Sequence, residues 1–200
     1  MNKKTVTVII GSCIGILLLV GAILIIVNQQ SSPASSQSAY RYDTKQHIGV
    51  GSVLAERDVT VALGSLGKDV QGPELSGTAY VANNRAETAT YTFNTTSQKK
   101  VKLQIDAMVY TSANALKSAE VFRGAQAEKI SGVGDEAHLV FPADDPSRNE
   151  REYALVAVKG LKSYVFMITV STEGQLPLTR AAAKDVLIAL GRKAQLDSVR

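Results

Sequence analysis

Tryptophan is absent from this chain, and cysteine occurs once, at Cys13. Beyond that position there can be no disulfide, no thiolate metal site and no cysteine nucleophile. A domain built there must be stable by packing alone. That suits a bacterial envelope protein better than a small, disulfide-stapled secreted domain. Charge of one sign is also scarce. Of the 22 Lys and Arg residues, Lys3 and Lys4 stand apart at the N-terminus, leaving 20 against 18 Asp and Glu. The densest basic cluster is Lys99, Lys100 and Lys102. Without stacking aromatics around it, it reads as a solvated loop–strand junction, and no nucleic-acid partner is expected.

Charge is missing altogether from Thr5 to Val27. As an α-helix this run would span about 34 Å, enough to cross a hydrocarbon core of about 30 Å. Lys3 and Lys4 flank it on one side, and no charge follows until Arg41. The positive-inside rule then predicts a cytoplasmic N-terminus and an extracytoplasmic C-terminal bulk. The expected layout is a cytoplasmic tail at 1–4, a signal anchor at 5–27, a Ser/Gln-rich linker at 28–40 and an extracytoplasmic domain at 41–200. Two other readings compete. Ser32-Pro33-Ala34 is a loose match to a signal-peptidase site, but the apolar run before it is longer than a secretory core. Ile10-Gly11-Ser12-Cys13 is a poor lipobox, because the run continues past the cysteine. Gly11 and Gly15 form a GxxxG, the spacing that lets membrane helices approach closely. Self-association there, the membrane itself and an envelope protein are the partners expected.

Hydrophobic periodicity in 41–200 predicts helices at Leu54–Leu63, Asn114–Gln126 and Arg180–Leu190. It predicts strands at Ala79–Ala82, Thr88–Phe93, Val101–Tyr110, Ala137–Phe141, Glu152–Val158 and Tyr164–Val170. Gly64 to Gly77, with Pro73, reads as a loop. The order α-βββ-α-βββ-α predicts an α+β fold, with helices packed on one face of an antiparallel sheet.

Chemistry-bearing residues are few. Asp135, Glu136 and His138 form the one acidic–imidazole cluster. Glu136 and His138 would share a strand face and offer two metal ligands, short of the three or four that zinc takes. The loop around Asp144, Asp145, Ser147, Asn149 and Glu150 lacks the central Gly of a calcium loop. No G-x-S-x-G elbow is present, and His47 lies close to the linker. Gly49-Val50-Gly51 and Gly132-Val133-Gly134 complete neither a dinucleotide fingerprint nor a P-loop. No catalytic residue and no cofactor is therefore expected. Asn94-Thr95-Thr96 matches a glycosylation sequon, relevant only in a eukaryotic secretory pathway.

Three segments carry a resemblance: LAERDVTVALG from Leu54, the run Ile130 to Ala137, and the closing hairpin with its alanine-rich helix near Leu190-Gly191. Together they resemble small extracytoplasmic domains of bacterial, mostly actinobacterial, lipoproteins and kinase sensors. Many of those domains carry paired cysteines and no long membrane helix, and this chain differs on both points. The resemblance implies a non-enzymatic binding or sensing domain facing the envelope. An accessory subunit of an envelope, secretion or surface-appendage assembly is the alternative, and an envelope hydrolase ranks last.

Overall fold

A computed structural model describes residues 41–81, 83–95, 100–122, 127–141, 150–171 and 178–200. The run 5–27 with its Gly11 and Gly15, the linker 28–40 and the loop holding Asp144 and Asp145 lie outside them. Among the described residues, no helix is long and apolar enough to cross a membrane.

The described chain is dominated by one nine-stranded antiparallel sheet. Its strands are β1 (Arg41–Asp43), β2 (Gly67–Leu75), β3 (Thr78–Val81), β4 (Asn84–Thr95), β5 (Lys100–Val109), β6 (Ala127–Lys129), β7 (Glu136–Val140), β8 (Glu150–Lys159) and β9 (Lys162–Ser171). The spatial order is β1-β3-β4-β5-β9-β8-β7-β6. β2 lies beside β3 along the same edge of the 12-residue β4, where Gly67 faces Thr95 and Leu75 faces Ala89. The α-helices are α1 (Glu56–Leu63), α2 (Ala113–Ser118) and α3 (Arg180–Lys193).

This overturns the expected α+β fold and its α-βββ-α-βββ-α order. The Gly64–Gly77 stretch is mostly strand, not loop. Register shifts between Lys68, Gln71 and Glu74 break the alternation that marks a strand in sequence. Asp69 adopts φ 55 and Gly72 φ 124 within it. Bulged edge strands tolerate such residues, and Pro73 with them. The middle helix shrinks to six residues. Ser112 caps its start by accepting from the Ala115 N–H at 3.1 Å, and Glu120, at φ 44, lies just past its end. β1 and β6, at three residues each, are too short to show periodicity.

One sheet face carries the main core. Tyr91, Phe93, Leu103, Ile105, Phe166 and Ile168 are all essentially buried there. Val59 and Leu63 of α1 and Val186, Leu187 and Leu190 of α3 cover them. Each such side chain contributes roughly 1.5–3 kcal/mol on burial. α3 has clear local causes. The Thr179 hydroxyl accepts from the Ala182 N–H at 3.2 Å, and Arg192 and Lys193 sit in the last turn, where cations suit the helix dipole. The helix lies so close to the sheet at Gly191 that a Cβ there would come within 2.4 Å of Leu155.

The segment 47–54 is bound into this core by long-range polar contacts. Glu87 on β4 is buried at 1% exposure. One of its carboxylate oxygens accepts from the N–H groups of Ile48, Gly49 and Val50 at 2.9, 3.2 and 3.3 Å. The other pairs with His47 Nδ1. Gly49, at φ 98, supplies the left-handed turn of this three-donor segment. A side chain at that position would also press on the Ser198 carbonyl. The C-terminal segment closes over the arm. Gln195 N–H donates to the Val53 carbonyl and Arg200 N–H to the Ile48 carbonyl, both at 2.8 Å. The Tyr91 hydroxyl donates to the Leu54 carbonyl and the Tyr164 hydroxyl to the Leu196 carbonyl. Burial, with Asp58 and Glu56 adding to it, pushes the Tyr91 phenol up to about 12. Burial and then Asp197 drive Tyr164 upward as well.

Glu87→Ala strands three buried N–H donors. It is expected to cost about 3 kcal/mol or more, read as a lower urea midpoint. Glu87→Gln keeps one carbonyl acceptor and should cost less. Equal, near-zero losses for both would show that the carboxylate does not hold the arm.

Candidate functional site

The second sheet face carries the features with chemical potential. Antiparallel pairing sets Glu136 opposite Val158 and His138 opposite Val156. These four residues share that face by strand alternation. A small apolar cluster of Val140, Ala154, Val156, Val165 and Met167 lies beside them, with Val121 and Phe122 packed on it. Between the α2 segment and the β7–β8 strands runs an open groove of about 440 Å³. Leu116, Val121, Phe122 and Val158 supply its apolar surface. Lys117, Glu120 and Glu136 supply its charged groups.

The three residues singled out in sequence part company here. Asp135 turns away from the groove. Its carboxylate accepts from Lys159 Nζ at 3.0 Å and from the Gly160 N–H at 2.7 Å, tying the start of β7 to the β8–β9 turn. The Gly160 N–H first, and then Lys159, hold its carboxyl below the usual range. Gly134, just before it, runs so close to the Val158 carbonyl that a Cβ would come within 2.4 Å. That contact accounts for Gly134, while Gly132 takes a left-handed turn at φ 80. Glu136 and His138 do come together, with His138 Nε2 at 2.9 Å from Glu136 Oε1. The His138 ring also packs on Phe122, at 4.4 Å between centroids. Its Nδ1 is buried without a partner among the described residues. Among those residues, no group of three His, Cys, Asp or Glu is placed to hold a metal ion. His47, remote from this groove in its role, is engaged by Glu87.

A second polar group on this face was not read from sequence as buried. Asp106 on β5 is 8% exposed and Gln104 7%. The Asp106 carboxylate accepts from the Thr88 hydroxyl at 2.6 Å and from Gln104 Nε2 at 2.9 and 3.0 Å. Its burial raises the carboxyl above the ordinary 3.8, outweighing the lowering by Thr88, Gln104 and Lys102. The only hint in sequence is that Asp106 and Gln104 lie on the strand's polar side, between apolar neighbours. That hint needs the second face to be covered before it means anything.

No protein-family model, no curated protein and no solved structure matches this chain. The groove joins apolar surface to a few charges. Beside it, His138 hydrogen-bonds Glu136 and packs on Phe122, two of the lining residues.

Asp106 gives a signed pH dependence. Its carboxyl is raised in the native state, so the native state holds that proton more tightly than the unfolded chain. Its contribution is fully present below the unfolded value and is lost as pH rises through the folded one. Asp106→Asn stays neutral throughout. Its stability relative to the native protein should therefore climb from about pH 4 upward and then level off, measured by urea titrations at several pH values. A difference that stays flat with pH would show that Asp106 titrates normally.

Proposed function

We propose that this chain is a membrane-tethered binding or sensing domain, held on the outer side of a bacterial plasma membrane and without catalytic activity of its own. The observation that carries the reading is the groove beside β7 and β8. It offers apolar surface with a few polar groups at its margin, the usual make-up of a small-ligand site. Two further features support it. The uncharged run Thr5–Val27, with Lys3 and Lys4 before it, is long enough to anchor the chain in this orientation. The resemblance of Leu54–Gly64, Ile130–Ala137 and the closing hairpin and helix to extracytoplasmic domains points the same way.

The binding claim is tested by methyl NMR on the full chain in lipid nanodiscs, titrated with 2-phenylethanol. Shifts confined to Leu116, Val121 and Val158, and abolished by Val158→Phe, are expected. Absent or scattered shifts would refute the site. Location is tested separately in intact cells freed of any outer wall. Added protease should remove the 41–200 region, and protection of that region would overturn the outside assignment.

A further inference from the structure

We propose that the groove selects cationic amphiphiles: an ammonium group on a short apolar body, with Glu136 as its counter-charge. The proposal rests on the groove being a binding site, as argued above, and adds the class of ligand.

His138 Nε2 faces a Glu136 carboxylate oxygen at 2.9 Å, so Nε2 carries the proton and donates it. Nδ1 is buried without a partner among the described residues, so the ring's polar contact is with Glu136, whose carboxylate it orients. The ring in turn is held by Phe122, itself part of the groove wall.

Glu136 is then the charge a ligand meets. Its side chain is 47% exposed, and its hydrogen-bond partner among the described residues is His138. Val158 lies directly across from it in the β7–β8 register, so carboxylate and apolar surface sit side by side. Among the described cations, Lys117 lines the same groove from α2. Lys129 on β6 is in register with His138, not with Glu136. Lys159 is committed to Asp135 at 3.0 Å. An ammonium beside Glu136, with its hydrocarbon on Val158, Val121 and Phe122, satisfies both kinds of surface at once. Phe122 can add attraction for the cation through its ring face.

Three probes of matched apolar size test this on the full chain in nanodiscs of zwitterionic lipid: 2-phenylethylammonium, 2-phenylethanol and 3-phenylpropionate. Affinities come from the NMR titration described above. The ammonium should bind best, by about fivefold over the alcohol, the upper end for a half-exposed ion pair. Glu136→Gln should erase that preference, and added salt should narrow the preference in the native protein. If all three bind equally, or the carboxylate binds best through Lys117, the cation selectivity is refuted while the groove stands as a site. If none binds, both proposals fall. Glu136→Gln must keep the native amide spectrum, which an exposed position in a strand allows. Lys117→Gln provides the second variant, and it should not weaken ammonium binding.

Discussion

The fold depends on one buried carboxylate satisfying backbone donors far away in sequence. Glu87 projects from the middle of the longest strand and receives the N–H groups of residues 48–50. Those donors would otherwise be orphaned under the sheet, where an unpaired polar group costs about 1–3 kcal/mol. With them in place, Ile48, Val50, Val53 and Leu54 become part of the main core. The C-terminal segment can then pair with the arm's carbonyls. Two buried tyrosines complete the arrangement from the sheet side, one for the 47–54 arm and one for the C-terminal segment. The closing of this core is a matter of hydrogen-bond accounting as much as of apolar area.

The two sheet faces divide the labour. The first is covered by α1, α3 and the two terminal segments, and it holds the large aromatic and branched side chains. The second is covered more sparsely among the described residues, by Val121 and Phe122 over a smaller cluster. Polar residues are tolerated there because strand pairing brings their partners into reach. Thr88 and Asp106 are direct cross-strand neighbours, and Gln104 is two positions along the same strand. The groove lies on this second face, where packing leaves space and the charged rim is accessible. A site on the first face would have had to displace core.

What could be read in advance follows from how local each signal is. β5, the β8–β9 hairpin and α3 announce themselves through period and punctuation, because their causes lie within about ten residues. β2 does not, since its bulges scramble alternation and its pairing with β4 is long-range. Glu87 left one legible trace. It continues the series of Ala89, Tyr91 and Phe93 on the core-facing side of its strand, where a charge is out of place. Its partners, 37 to 40 residues upstream, carry no mark in sequence. In the candidate site, the pairing of Glu136 with His138 followed from strand alternation. The departure of Asp135 did not, because it depends on the Gly160 N–H across the sheet.

The arm also defines a path for mechanical load. Any tension on the chain upstream of Arg41 reaches β1 first, a strand held to β3 by three residue pairs at the sheet edge. Such a strand can be peeled off without touching the core. The next resistance is Gln46, whose carbonyl accepts from the Thr78 hydroxyl at 2.9 Å, and then the carboxylate clip at 48–50, backed by the hydrogen bond from the Arg200 N–H. The fold thus carries a short sacrificial strand in front of a firm anchorage point, so a pull on this end of the domain can be absorbed before the sheet that shapes the groove is disturbed.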